Sequence, residues 1–421
     1  MIGLTLFGTL GLLLLFGVPI AMSLGVAASL CIWLMDVPLA VVAQRIFTAL
    51  DTTAIMAIPF FVLAGNLMTN GGISRRLVAF VNTLVGRVRG GMAYVMVVAC
   101  AFFATLSGSA PATVIAIGAT VYPEVVKLGY PKARCAGLLA VSGGLGPIIP
   151  PSIIMVVYGT ITNCSISNLF TVGIVAGVMI VAVLAALCLF YAHKENWPKT
   201  TETLGFREFC KSFINALPAL ILPVIILGGI YSGILTPTES AAVAVVYSFT
   251  VGVFVYREIP LKGLGPIIIN SAKGSAMILF IIATSTAFSW FFAYSGISRA
   301  LINAITAMNL SALTFNIVVA IILLIFGVFL EGIATCVLLV PVLWPIAENL
   351  GVNIIHFGMI VSISNMIGTM TPPVAVNIFA ASSVTGLKMG EIAKGELPFL
   401  IGFSFVFALI VLFPWFTTAF I

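Results

Sequence analysis

Charge is scarce in this chain. Lys and Arg number 18 and Asp and Glu 12 among 421 residues, 7% in all, against roughly 25% in soluble globular proteins. So few charges cannot cover a surface that faces water, which excludes a soluble domain. The net charge of +6 does not point to nucleic acid, because the basic residues sit in short loops between apolar runs, as they do in proteins oriented in a bilayer. Lipid is the expected surrounding. Histidine occurs twice, and the seven cysteines (Cys31, Cys100, Cys135, Cys164, Cys188, Cys210 and Cys336) form no C-x-x-C pair. A zinc or disulfide framework is therefore not expected, and the cysteines read as small buried apolar groups. Also missing are G-x-x-x-x-G-K-[ST], H-E-x-x-H and G-x-S-x-G. ATP as direct driver and zinc or serine hydrolysis are thereby disfavoured. No enzyme activity and no organic cofactor are expected, and transport must run passively or on an ion gradient.

What the chain has is apolar length, with 62% hydrophobic residues, and a crossing needs about 20 of them. The N-terminal Met1-Ile2-Gly3-Leu4 lacks a basic leader segment and reads as the start of a first span. Spans are expected over 2–17, 18–35, 52–70, 135–160, 168–191, 213–233, 237–256, 274–294, 357–384 and 398–418. A single helix over 1–35 would be about 52 Å long, too long for a core of about 30 Å, so Gly17-Val18-Pro19 is the natural break. Two further stretches are interrupted at their middles: 92–121 by Ser107-Gly108-Ser109-Ala110-Pro111, and 315–345 by Glu331-Gly332. Each is either a re-entrant helical hairpin or one kinked span. Under the hairpin reading, 16 of the 18 basic residues fall on one side, leaving Arg45 and Arg299 opposite. That asymmetry marks the cytoplasmic face and selects the hairpin for 92–121. The second stretch has few flanking charges, so charge does not decide it.

The chain repeats itself. Gly72-Ile73-Ser74-Arg75 recurs as Gly296-Ile297-Ser298-Arg299, and Gly146-Pro147-Ile148-Ile149-Pro150-Pro151 returns as Gly368-Thr369-Met370-Thr371-Pro372-Pro373. Ser107-Gly108 likewise matches Glu331-Gly332, all at offsets of 222–224. The expected fold is an all-α polytopic membrane protein of two inverted repeats, each with about five transmembrane helices and one re-entrant hairpin. The first repeat covers 1–192 and the second 213–421, with a cytoplasmic linker over 193–212 that resembles a soluble loop. Five crossings per repeat are odd, so the second enters from the opposite face. Such repeats place their sites near the midplane, between discontinuous helices.

The breaks carry the chemistry. Val141-Ser142-Gly143-Gly144-Leu145-Gly146-Pro147-Ile148-Ile149-Pro150-Pro151-Ser152 cannot hold a continuous helix, and unwound backbone at membrane depth is tolerated only against protein or a water-filled cavity. Freed carbonyls suit a bare Na⁺, and half-helix N-termini suit an anion. The partner break adds the side-chain oxygens of Asn365, Thr369 and Thr371, and the first tip adds Ser107, Ser109 and Thr113. Glu331 stands alone in an apolar stretch, where a carboxylate could sense ions, carry a proton or contact cargo. Glu239, after Thr236-Pro237-Thr238, reads as a helix start, and Asp51 before Thr52 and Thr53 reads the same way.

These segments resemble one family. Ala57-Ile58-Pro59-Phe60-Phe61-Val62-Leu63-Ala64-Gly65, Leu106-Ser107-Gly108-Ser109, Gly146 to Ser152, Tyr231-Ser232-Gly233-Ile234-Leu235-Thr236-Pro237-Thr238-Glu239 and Gly368 to Pro373 are similar to the large membrane subunit of tripartite ATP-independent periplasmic (TRAP) transporters. The resemblance implies a Na⁺-driven importer of an organic acid anion, a C4-dicarboxylate or a sialic acid, in the bacterial inner membrane. It implies two partners, a periplasmic solute-binding protein and a small four-helix membrane subunit. It also implies an elevator-type fold in which a transport domain slides against a scaffold. Na⁺ sites are then expected at Ser107, Gly108, Ser109, Gly143, Gly144 and Gly146, and at Gly327, Gly332, Gly368, Thr369 and Thr371. Cargo contacts are expected from Ser107, Ser109, Thr113, Pro150, Ser152, Glu331, Asn365 and Pro372. Asn66 departs from the pattern, which favours an acidic residue there. The alternatives are a self-sufficient Na⁺/carboxylate symporter, betrayed by full activity without a binding protein, and an ion channel, which would need a continuous polar pore-lining face that the sequence lacks.

Overall fold

The computed structural model describes residues 2–199, 205–308 and 310–421, with one isolated β-bridge (Arg89 with Lys199) and no strand among them. The first half begins with α1 (Ile2–Leu15) and α2 (Ile20–Leu34), parted at the expected Gly-Val-Pro break. There follow α3 (Ala40–Leu50), a 3₁₀ turn (Thr53–Met56), α4 (Ala57–Asn70) and α5 (Ile73–Val85). The first hairpin is α6 (Gly91–Ser107) and α7 (Ala110–Lys127). The broken span is α8 (Lys132–Gly143) with α9 (Ile153–Thr162), and α10 (Ile166–Lys194) closes the half. The second half has α11 (Phe206–Tyr231), α12 (Pro237–Thr250), α13 (Leu264–Tyr294) and α14 (Ile297–Ala307). Its hairpin is α15 (Ala312–Phe329) and α16 (Gly332–Asn349), its broken span α17 (Ile354–Met370) with α18 (Val376–Thr385), and it ends in α19 (Met389–Leu412) and α20 (Trp415–Thr418).

From α5 onward the halves match helix for helix. Ile73 and Ile297, Gly91 and Ala312, Ala110 and Gly332, Lys132 and Ile354, Ile153 and Val376, and Ile166 and Met389 open corresponding helices, 221–224 residues apart. Upstream, the long α13 stands where the first half has α3 and α4, split by Asp51 and Thr52.

Hydropathy alone overlooks α3, α5 and α14, because each is amphipathic. In α5, Ile73, Leu77, Val78, Phe80 and Val81 are buried, while Arg75 is 65% exposed on the other side. Three expected spans also begin well after their helices, since α11 starts at Phe206, α13 at Leu264 and α19 at Met389. Glu239 does start a helix: its carboxylate accepts the Thr236 N–H (2.7 Å), and its own N–H donates to Thr236 Oγ1 (3.2 Å), closing a capping box. Asp51 does not. It is the C-terminal cap of α3, and Thr52 makes no side-chain capping bond to the turn that follows.

The packing has a lipid-facing layer and a dry interior. Among the described residues, eight helices are long and apolar enough to cross a membrane, and large apolar side chains such as Phe47, Val224, Phe254 and Ile269 lie exposed on the outer helices. The chain is a multi-pass membrane protein. Inside, Ile355–Met370 of α17 and Cys135–Gly143 of α8 are buried along their whole lengths, as a helix apolar on all sides must be.

Both ends of the first hairpin return to one face. Arg89 before α6 donates to Asn196 (2.6 Å), and Arg134 after α7 pairs with Glu195 (2.9 Å), so both flanks meet the same segment. That segment opens the expected linker, and it is no loose loop. Trp197 is buried, donates to Glu195 (2.9 Å) and packs on Tyr130, whose hydroxyl donates to the Pro198 carbonyl (3.1 Å). The part of the linker over 200–204 lies outside the described residues.

Where α8 crosses α19, glycine sets the distance. A Cβ on Gly137 would run into the backbone of Glu396, and one on Gly395 into the carbonyl of Ala133. Gly137→Leu is therefore expected to destabilise the protein by about 1–3 kcal/mol or more, seen as a lower unfolding temperature of the purified chain.

Candidate transport site

The two hairpin tips and the two helix breaks converge on one cavity of about 330 Å³, within the range of small-ligand sites. Four helices begin at it: α7 through Ser109 to Ala112, α9 through Ile153 and Ile154, α16 through Glu331 to Ile333, and α18 through Val376 and Asn377. At three of them (α7, α16 and α18) the residue before the helix makes no side-chain capping bond, so the first-turn N–H groups, which Pro111 of α7 lacks, are free of a side-chain cap. No Lys, Arg or His lines the cavity. An anion held here would be met by converging helix N-termini, each equivalent to roughly half a positive charge.

Each break is held open by backbone contact with its own hairpin. At the first, a Cβ on Gly146 would come within 2.8 Å of the Ser109 carbonyl, and one on Gly108 within 3.2 Å of the Pro151 carbonyl. Gly108 takes a left-handed φ of 58°, which lets the chain reverse between α6 and α7. At the second, a Cβ on Gly327 would lie 3.4 Å from the Cα atoms of Asn365 and Gly368, and one on Gly332 3.5 Å from Asn365 Cβ. The Pro150–Pro151 and Pro372–Pro373 peptide bonds are both cis. The second stretch thus forms a hairpin whose tip faces the same cavity as the first, although each of its arms is long enough to cross a membrane alone.

Of the residues picked from sequence, Ser107, Gly108, Ser109, Glu331, Gly332 and Thr369 line the cavity. Others lie one layer behind. Thr113 is fully buried and shares a hydrogen bond with Ser107 (2.8 Å) while donating to the Ser109 carbonyl (2.8 Å), which fixes the first tip. Ser152 is buried as the N-cap of α9, donating to the Pro147 carbonyl and accepting from Met155 N–H. Asn365 is buried and donates to the Gly332 carbonyl (3.2 Å). Gly146, Gly327 and Gly368 pack on neighbouring backbone, and Gly143 and Gly144 on the side chains of Val114 and Met370. Thr369 and Thr371 donate to carbonyls of their own helix, Met366 (2.8 Å) and Ile367 (2.7 Å). Thr371, Pro150 and Pro372 are not part of the lining; Pro150 is buried and Pro372 is exposed. These last residues shape the breaks and do not face the cavity.

Sequence reasoning missed one wall. Val62, Gly65, Asn66 and Thr69 of α4 and Gly274 and Ile278 of α13 complete the lining of the cavity. Asn66 donates to Ser271 Oγ (2.8 Å) and ties α4 to α13. Its departure from the expected acid, next to the family-like segment ending at Gly65, was the signal that pointed there.

Among the described residues, Ser142 Oγ and Asn365 Oδ1 are buried oxygens without a hydrogen-bond partner. Each sits beside a break, and the two are 223 positions apart, the spacing of the repeat. No cluster of His, Cys, Asp or Glu suited to a transition metal occurs among the described residues, so the available donors are oxygens, the ligands hard cations take.

A family model described as "Tripartite ATP-independent periplasmic transporter, DctM component" matches residues 7–416. The chain belongs to this family. Its members are transport proteins and not enzymes. The chain is 42% identical over 391 residues to the C4-dicarboxylate TRAP transporter large permease protein DctM of Pseudomonas aeruginosa, covering 92% of this chain and 91% of that one. It is 34% identical over 404 residues to the sialic acid TRAP transporter permease protein SiaT of Haemophilus influenzae, covering 96% of this chain and 65% of that protein. In fold it is similar to the YdaH transporter of Alcanivorax borkumensis, at a TM-score of 0.64 and 13% identity over 89% of this chain and 87% of that one.

Proposed function

We propose that this TRAP large permease imports an organic acid anion, driven by Na⁺, across the bacterial inner membrane. The observation that carries the reading is the cavity itself. Uncapped helix N-termini converge on it with no basic side chain, and a repeat-related pair of unpartnered oxygens stands beside it. Dipoles and a bound cation together supply the positive potential that a carboxylate needs. The named cargoes of the relatives, a C4-dicarboxylate and a sialic acid, are both carboxylates and support the class without choosing within it.

The partners are a periplasmic binding protein that delivers the acid and a small membrane subunit that braces the outer helices. The repeats run in opposite directions through the bilayer. The hairpins with the broken helices move as one body past a frame that includes α4 and α13. Cation and cargo are then carried together, because both are held on the moving side of the cavity.

The reconstituted complex with its binding protein tests this. Replacing external Na⁺ by choline is expected to lower uptake of the radiolabelled acid at least about tenfold, which corresponds to a coupling of roughly 1.4 kcal/mol or more between the two ligands. Uptake that persists unchanged without Na⁺ would remove the coupling. Full uptake without the binding protein would favour a self-sufficient symporter.

A further inference from the structure

Asn377 is fully buried, yet it lines the cavity. Its amide nitrogen donates to the carbonyl of Ala140 (3.2 Å), near the end of α8. Only the nitrogen can donate to a carbonyl, so the orientation of the amide is fixed and Oδ1 is left over. That Oδ1 has no partner. Among the described residues, Asn377 is the one cavity-lining residue with a buried and unsatisfied side-chain atom. A buried acceptor without a donor costs about 1–3 kcal/mol, so a ligand that brings a donor is favoured over one that does not.

The repeat separates this oxygen from the cation donors. Ser142 and Asn365 correspond to each other across the two halves, as oxygens serving two equivalent breaks would. Asn377 has no such counterpart. The residue one repeat earlier is Ile154, which lines the same cavity with an apolar side chain. A polar atom present in only one half answers to a ligand that is itself asymmetric. Glu331 adds a second acceptor to the same wall. The cavity therefore offers N–H donors at its helix ends and acceptors at Asn377 and Glu331.

Resting on the organic-acid reading above, we propose that Asn377 is a specificity-determining residue whose side-chain carbonyl accepts a hydrogen bond from a hydroxyl or amide N–H on the cargo. The preferred substrates are then acids that carry such a donor beside the carboxylate, and acids of the same skeleton without it are rejected.

The test is acid binding to the purified complex of large and small subunits in Na⁺ buffer, with two pairs matched in skeleton: malate with succinate, and gluconate with hexanoate. In the wild type the hydroxylated member of at least one pair is expected to bind about tenfold or more tightly than its partner. Asn377→Leu should reduce that preference to about threefold or less, with the Na⁺ dependence of the unfolding temperature unchanged. Equal affinities within both pairs in the wild type would overturn the assignment even if no variant assembles. So would an undiminished preference in Asn377→Leu, or a variant that shifts Na⁺ affinity and leaves acid affinity alone. If neither these four acids nor a sialic acid binds the wild type, the organic-acid reading itself falls and this assignment goes with it; binding that ignores the hydroxyl sinks the assignment only.

Discussion

Uptake by a Gly146→Leu complex is expected to fall about tenfold to a hundredfold or more, with assembly and yield close to wild type. A Cβ at this position would lie 2.8 Å from the backbone carbon and oxygen of Ser109 and 3.0 Å from the Ala110 nitrogen. These are main-chain atoms at the tip of the first hairpin, so no side chain can rotate out of the way. The tip itself must shift, and with it the N-terminus of α7 that opens onto the cavity. Overpacking of this kind costs typically about 1–3 kcal/mol, or about a tenfold to hundredfold change in the population of the competent arrangement. The strain falls at the edge of a cavity and not inside a helix crossing, which is why assembly should survive. Uptake of the radiolabelled acid and size-exclusion profiles of the complex check both halves. Gly390→Leu, at a helix start with nothing within 4 Å of the added Cβ, serves as control and should stay within about twofold of wild type. Normal transport by Gly146→Leu would remove the first break from the site.

The breaks and tips were legible because they need unusual residues. A backbone that reverses at Gly108 or leaves its helix between Gly143 and Ser152 requires glycine, proline and hydroxyl residues in dense runs, and those runs recur at the repeat spacing. What the runs do not reveal is which way each side chain points. Ser107 and Ser152 look alike in sequence, yet one lines the cavity and the other is spent capping α9. Pro150 and Pro372 occupy the same place in matching motifs, and one is buried while the other is exposed. The α4 and α13 wall was hidden for a different reason. Val62, Gly65, Gly274 and Ile278 are ordinary residues for a membrane helix, and only tertiary packing decides which face of the helix meets the hairpins. The amphipathic α5 and α14 escaped because a search for apolar length passes over helices with one polar face.

Gly368→Leu is expected to fail earlier than Gly146→Leu, at folding. A Cβ on Gly368 would collide with the backbone carbon, Cα and oxygen of Gly327, so α15 and α17 meet glycine to glycine. At Gly146 the contact is with a hairpin tip, whereas Gly368 sits inside a long helix whose residues Ile355 to Met370 are all buried, pressed on the backbone of a second long helix. The cost is at least the 1–3 kcal/mol typical of an overpacked core, about a fifth of the whole stability of many proteins. The unfolding temperature of the purified complex should therefore drop even in Na⁺-free buffer, together with its yield. Asn365→Ala gives the contrast that separates structure from cation binding. Losing its bond to the Gly332 carbonyl should lower the unfolding temperature equally with and without Na⁺, by about 1–3 kcal/mol, whereas losing the unpartnered Oδ1 should abolish the rise on adding Na⁺. That rise, for a cation at about a hundred times its dissociation constant, corresponds to about 2.7 kcal/mol. If Gly368→Leu unfolds at the wild-type temperature, the glycine contact does not hold the second break. If Asn365→Ala keeps its full response to Na⁺, the orphaned oxygen is not a cation ligand, and the paired-oxygen account of coupling loses its second half.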